Sequence, residues 1–380
     1  LAVARLSFPS ALQFDSYRSQ LYIVSSHGRK ILRYDLTLQA LNLLAGSIAD
    51  PDPMLKDGES ATFAKINDIL LSPLGQMLYI ADSCYLRFAR PREAILTVTT
   101  LGNGQRPCLD DIPSNEDGFP LATFSPGSLQ SLGFSQEDGT LLLGIGRSNS
   151  PSAYFARASV MDISSTVLIG SPPITSAFRP PVNATACEPT AAYGALVILT
   201  DDTGRRVVLA APNPDTTAWN GFFLWSYNRA DADRIFVRCP SVGHPSCTGV
   251  VAMLSSSGLG LVVAFKTCIA VSVPSGFTQL FGVAETVTPG ATVDLVTPFL
   301  NIATGDCASS EAVVDTNGMA ARYASIRGVY ATGSGAVYVA DTCRIVKLEG
   351  DLVAVDAGQD TCGCSDGANK PPGTPLAQFG

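Results

Sequence analysis

The sequence predicts an all-β fold: a six-bladed β-propeller of four-stranded blades. Three observations carry this. First, the apolar residues, 46 % of the chain, fall in short runs separated by turn residues, with 34 Gly and 25 Pro spread along the whole length. Such punctuation suits many short strands and breaks long helices. Second, a unit recurs. Asp57-Gly58 is followed 60 residues later by Asp117-Gly118, and Phe63 is followed 61 residues later by Phe124. Third, each clear unit holds four strand-like runs. Four short strands cannot bury both faces alone, so units of this kind stack, and closing the stack into a ring removes its open ends. The 380 residues hold about six such units.

The units fall at 4–46, 61–103, 121–170, 188–240, 249–282 and 320–358. Unit one has strand-like runs at 4–12, 20–24, 30–34 and 40–46. Unit two has them at 69–71, 77–82, 85–88 and 95–102, and unit six at 320–329, 336–341, 344–348 and 352–355. Unit three opens on Leu121-Ala122-Thr123-Phe124 and continues at 129–134, 140–145, 159–162 and 166–169, with a Ser-, Asn- and Pro-rich loop over 146–153. Ser176-Ala177-Phe178 echoes a unit opening. Unit four has runs at 194–199, 206–210, 222–227 and 234–238. Unit five has them at 250–254, 260–265, 269–273 and 278–282, and is followed by a long link over 283–318. Pro375-Leu376-Ala377-Gln378-Phe379 repeats the opening, so 366–380 reads as the start of a further repeat or an exit segment.

Unit two (Tyr79-Ile80-Ala81-Asp82, then Cys84 and Arg87) and unit six (Tyr338-Val339-Ala340-Asp341, then Cys343 and Arg344) are close copies. Asp-Gly, then Ala-x-Phe, then Leu-Tyr-Ile/Val-Ala-Asp and a cation, closing on Gly, resembles the NHL repeat family of β-propellers. Units one, two and six match best. The resemblance implies four-stranded blades around a central channel, with Asp82 and Asp341 as turn residues rather than ligands. More narrowly, an acidic, cysteine-containing propeller of this kind is similar to the ectodomains of flagellum-attachment adhesion glycoproteins of flagellate protozoa.

Composition narrows the function classes. A net charge of −8 and a pI near 4.8 oppose nucleic-acid binding, which needs Lys and Arg to neutralise phosphates. No run of about 18 apolar residues is present, so direct membrane insertion is not expected. Ten cysteines without a zinc-type pair suggest disulfides and an oxidising compartment, hence an extracellular or cell-surface location. The Asn183-Ala184-Thr185 sequon is a glycosylation candidate and agrees with secretion. The chain reads as a mature or trimmed ectodomain. Within the blade scheme the candidate bridges are Cys84 with Cys108, Cys268 with Cys307, Cys239 with Cys247, and Cys343 with Cys362 or Cys364. Cys187 is then left for whichever of the last two is free.

Catalytic, cofactor and metal sites are not expected. A zinc lyase needs three His ligands, and only His27 and His244 exist. Asp50, Asp52, Asp57 and Glu59 form an acidic stretch without the alternating spacing of a calcium loop. Gly333-Ser334-Gly335 is a turn between strands, not a nucleophile elbow, and Gly144-Ile145-Gly146 precedes no helix. Trp219 and Trp225 read as packing residues. The expected function is therefore a non-catalytic adhesion or structural module, possessing no cofactor. Its partner would be another extracellular or membrane protein, or a second copy in a filament, met through the long loops. A calcium-dependent, lactonase-like propeller hydrolase and a glycan-binding propeller are the alternatives.

Overall fold

The computed structural model describes residues 6–25, 29–47, 56–92, 96–100, 128–135, 140–146, 154–159, 174–178, 193–212, 220–226, 235–239, 249–256, 259–288, 291–295, 299–307, 321–349 (except 322, 333 and 343), 352–358 and 375–378. The chain is an all-β propeller with four-stranded blades. Among the described residues the strands form six sheets. Sheet one holds Leu12–Asp15, Gln20–Ser25, Lys30–Asp35 and Ala40–Gly46. Sheet two holds Ile66–Leu71, Leu78–Asp82, Tyr85–Ala89 and Val98–Thr100. Sheet three holds Ser128–Ser135, Thr140–Gly146, Tyr154–Ser159 and Ile174–Phe178. Sheet four holds Tyr193–Thr200, Arg206–Pro212, Gly221–Ser226 and Ile235–Arg238. Sheet five holds Val250–Ser256, Gly260–Phe265, Cys268–Ser272 and Leu300–Gly305, and sheet six Ile326–Ala331, Val337–Asp341, Arg344–Glu349 and Leu352–Gly358.

The first strand of each sheet touches the first strand of the next, and Ile326–Ala331 returns to Leu12–Asp15. These six innermost strands therefore ring a central channel. Inside each sheet the second strand is covered on both faces. Leu21, Tyr22, Ile23, Val24 and Ser25 are all fully buried, as are Leu78, Ile80 and Ala81. This explains why these strands read as unbroken apolar runs rather than alternating ones. The core consists of layers between neighbouring sheets. Tyr22, Val24 and Ile31 pack against Ile69, Leu78 and Ile80, while Leu21, Ile23 and Leu32 pack the other way, against Tyr338, Ala340 and Ile345. Each such aliphatic side chain contributes about 1.5–3 kcal/mol on burial, so the ring is held mainly by sheet-to-sheet contact.

Two sheets gain a fifth strand. Pro375–Gln378 pairs antiparallel with the outer edge of Ala40–Gly46. This segment, from the stretch 366–380, is a fifth strand of sheet one. It covers an edge that would otherwise expose unpaired N–H and C=O groups. Thr292–Asp294, from the long link over 283–318, pairs parallel with Ile235–Arg238.

Other expectations need correction. The run 278–282 is no strand, but part of a helix, Pro274–Thr286. Pro274 opens it, at a position where the missing N–H costs nothing. Phe277, Leu280, Phe281 and Ala284 recur at helical spacing, and the last three are buried against sheets four and five. Sheet five therefore takes its fourth strand later, at Leu300–Gly305. In sheet three the outer strands are Tyr154–Ser159 and Ile174–Phe178 rather than 159–162 and 166–169. The echo of a unit opening at Ser176-Ala177-Phe178 is an outer strand.

Candidate functional site

The channel encloses a cavity of about 750 Å³, lined by residues from all six innermost strands. What points into it follows from the backbone register. In sheet two Ile66 faces Asp82 and Asp68 faces Ala81, which leaves Asn67 without a partner. The same extra residue occurs as Gln130 in sheet three, Gly194 in sheet four, Val251 in sheet five and Arg327 in sheet six. In sheet one both Ser10 and Ala11 bond to Val24. Each is a β-bulge, two residues against one, near the start of the innermost strand. Bulges re-aim side chains, and Ser10, Asn67, Gln130, Val251 and Arg327 all line the cavity. The wall at this level is polar on sheets one, two, three and six, and apolar or open on sheets four and five.

The residue after each bulge forms a second level. It comprises Ala11, Asp68, Ser131, Ala195, Ala252 and Gly328, all of which line the cavity. Five are small; Asp68 carries this level's one ionisable side chain. Its Oδ1 accepts the Ile69 N–H at 2.9 Å and its Oδ2 the Leu132 N–H at 2.8 Å. Beside it, Asn67 Nδ2 donates to the Leu129 carbonyl at 2.6 Å. The Asn67-Asp68 pair thus ties sheet two to sheet three. Asp68 is half-buried, with part of its surface on the channel. Burial pushes its carboxyl up to about 7, and the two N–H bonds only partly offset that. It makes no ion pair among the described residues.

At the other end of the innermost strands sits Asp15. Its carboxylate is buried, bonded to Arg18 and to the Tyr17 N–H, and Arg18 reaches the Gly75 carbonyl at 3.4 Å. Tyr330 lines the same cavity, and burial, with Asp15 nearby, pushes its phenol up, so it stays protonated. These channel carboxylates do not fit a calcium centre. Calcium takes six to eight oxygens, usually several from carboxylates. Asp15 and Asp68 lie at opposite ends of the innermost strands, so they do not converge on one ion. Among the described residues no three His, Cys, Asp or Glu side chains come together in a group that could hold a metal ion.

The repeated aspartates lie elsewhere. Asp82 and Asp341 end the second strands of sheets two and six and are fully buried. Each accepts the N–H just before the first strand, from Lys65 at 2.9 Å and from Ser325 at 2.7 Å. Arg87 pairs with Asp82 at 2.8 Å and also donates to the carbonyls of Thr62 and Lys56 and to Asp57. Arg344 pairs with Asp341 at 2.7 Å. The cations approach from different register positions. Arg87 lies opposite Ile80, whereas Arg344 lies directly opposite Asp341. Both arrangements fix the turn of their own blade.

Of the cysteine candidates, Cys268 and Cys307 form a disulfide, with Cα atoms 4.9 Å apart. Cys84 and Cys239 are also disulfide-bonded. Cys108, Cys187, Cys247, Cys343, Cys362, Cys364 and the sequon Asn183 lie outside the described residues, as do His27, His244 and Trp219. No helix among the described residues is long and apolar enough to cross a membrane.

No family model matches the sequence, and no curated protein matches it. The resemblance to the NHL repeat family is therefore not shown. In fold the chain is similar to a protein of unknown function from Bacteroides thetaiotaomicron (TM-score 0.55, 9 % identity, 93 % of this chain and 71 % of that one). It is also similar to a gluconolactonase from Xanthomonas campestris (TM-score 0.49, 9 % identity, 93 % and 88 %). A third such structure is a luciferin-regenerating enzyme (TM-score 0.48, 8 % identity, 94 % and 94 %). At these identities the likeness shows the fold alone.

The expectation of a non-catalytic adhesion or structural module is nevertheless corrected. The channel wall carries a carboxyl, Asp68, that burial raises to about 7. Flagellar adhesion finds no support. The sequence signal that was missed is the Asn67-Asp68 pair inside an apolar strand, Ile66–Leu71, where a carboxylate has no packing reason to be.

Proposed function

We propose that this chain is a hydrolase that opens a small polar ester or lactone in the channel of a six-bladed propeller, with Asp68 as general base. One observation carries the reading. Asp68 is set on the channel wall directly after a bulge and is held in place by two N–H groups, while burial pushes its carboxyl up to about 7. A base with such a value is half ionised near neutrality and is a strong enough acceptor to matter, which is the compromise that acid–base catalysis favours.

The reaction follows from that group. Asp68 takes a proton from a water molecule as the water oxygen bonds to the carbonyl carbon. The tetrahedral intermediate then collapses, the bond to the alcohol oxygen breaks, and the proton on Asp68 passes to that oxygen. Ester and water become acid and alcohol, and the carboxylate is restored. Every step uses this chain's own residues. Gluconolactonase, named for one structure of this fold, performs chemistry of this class; the present reading rests on Asp68. The Cys268–Cys307 disulfide, with Cys84 and Cys239 also bonded, supports placing the hydrolase outside the cytosol.

The test is a panel of activated esters and lactones assayed across pH with wild type and Asp68→Asn. The rate is expected to rise with pH through about 7 and to fall by about 10²–10⁴ in the variant, without sensitivity to chelators. Absence of turnover on every ester and lactone, or an unimpaired Asp68→Asn, overturns the reading.

A further inference from the structure

Arg327 is the bulged residue of sheet six and lines the cavity. It makes no hydrogen bond or ion pair among the described residues. Its guanidinium instead lies over the Phe8 ring, 5.4 Å from the centroid. Phe8 is unusual in its own right. Its φ is +49°, a left-handed backbone that a bulky residue rarely adopts, and Pro9 follows it. Of the other non-glycine residues with positive φ, Ser83 and Thr342 sit in the tight turns after Asp82 and Asp341. Phe8 instead precedes the innermost strand of sheet one, under the Arg327 guanidinium. Strain of this kind, about 1–3 kcal/mol, persists where surrounding structure enforces it, and such places cluster at ligand sites.

The neighbouring sheet contributes a second group. A Cβ on Gly328 would come within 1.8 Å of the Ser10 carbonyl oxygen. Sheets six and one therefore touch at this level, with the Ser10 backbone against the residue that follows Arg327. The Ser10 hydroxyl is buried and has no hydrogen-bond partner. A buried orphan hydroxyl costs about 1–3 kcal/mol, an outlay recovered when a ligand supplies the missing acceptor. An exposed cation on one sheet and an unpartnered hydroxyl on the next, both from cavity-lining residues, are two donors available to an anion. Asp68, on sheet two, lies two sheets further round the ring.

We propose that Arg327 and Ser10 hold a carboxylate of the channel ligand, so the substrate is an ester or lactone that bears a carboxylate apart from its reacting carbonyl. This rests on reading the channel as the substrate site and not on the role of Asp68 as base. The carboxylate end would lie at the junction of sheets six and one, with the reacting end across the channel at the junction of sheets two and three.

The test is direct binding by calorimetry of succinate, its neutral diamide and inorganic phosphate to the full chain. Wild type is expected to prefer succinate over the diamide by about tenfold or more, the range of a charge-assisted bond. Arg327→Met, at an exposed position, is expected to fold normally and lose that preference, while Arg327→Lys retains part of it. Asp68→Asn is expected to keep the preference, so failure of the base assignment and failure of the anion site show up separately. Equal binding of succinate and diamide by wild type, an unchanged preference in Arg327→Met, or phosphate binding as tight as succinate overturns the proposal.

Discussion

Replacing Asp68 by Asn alters how stability depends on pH, whatever the substrate. The carboxyl moves from an ordinary value of 3.8 in the unfolded chain to about 7 in the fold. Its folded pKa is raised, so the folded state holds the proton more tightly. Below the unfolded value both states are protonated and the group is neutral in effect. As pH rises from about 4 to about 7 the unfolded chain ionises first, and the native state loses stability; above about 7 the loss is complete. About three units at ~1.4 kcal/mol each give a destabilisation on the order of 4 kcal/mol at high pH, which water in the channel reduces. Asn cannot ionise and keeps one acceptor for the Ile69 or Leu132 N–H. Urea unfolding of both proteins at about pH 5 and about pH 8 measures the effect. Wild type is expected to lose up to about 2–3 kcal/mol more than Asp68→Asn over that interval. Parallel losses in the two proteins would show that Asp68 is not held in a desolvated setting and would remove the basis for its role as a base near neutrality.

Three further outcomes follow from the fold. Arg87→Met leaves Asp82 buried without its cation and strips donors from the Thr62 and Lys56 carbonyls, so unfolding is expected to become easier by about 3–5 kcal/mol. Arg238→Met, which breaks an exposed pair with Asp294, is the control and is expected to cost less than about 1 kcal/mol in the same urea assay. Gly328→Ala drives a methyl into the Ser10 carbonyl and is expected to lower the thermal midpoint, whereas Gly282→Ala, which meets nothing, is not. Removing the Cys268–Cys307 bridge, which spans 39 residues, is expected to cost about 4 kcal/mol on the chain-entropy account, read as a shifted urea midpoint in the double serine variant.

The parts of the fold that were legible are those written as side-chain identity at fixed offsets. Tyr-x-Ala-Asp and the cation after it are local, because Asp82 and Asp341 bond within their own blade. Fully covered second strands also announce themselves as apolar runs. The helix Pro274–Thr286 was legible in principle, from Pro274 and the spacing of Phe277, Phe281 and Ala284. Its short runs of strand formers masked that period. The channel was not legible. Whether Asn67 or Arg327 is bulged depends on which carbonyl each neighbour bonds, a property of two strands together. Asp68 was passed over because nothing in the sequence says that Leu132, 64 residues away, supplies its second N–H.

The ring of bulges separates two demands that most strands must meet at once. A residue in register answers to its partner opposite and to the sheet packed against it, so exchanging it disturbs both. A bulged residue is the extra one of two set against a single partner. Ser10, Asn67, Gln130, Gly194, Val251 and Arg327 hold that place in the six sheets. One repeated backbone therefore carries side chains from glycine to arginine, and the channel's chemistry differs from sheet to sheet while the ladder behind it stays the same.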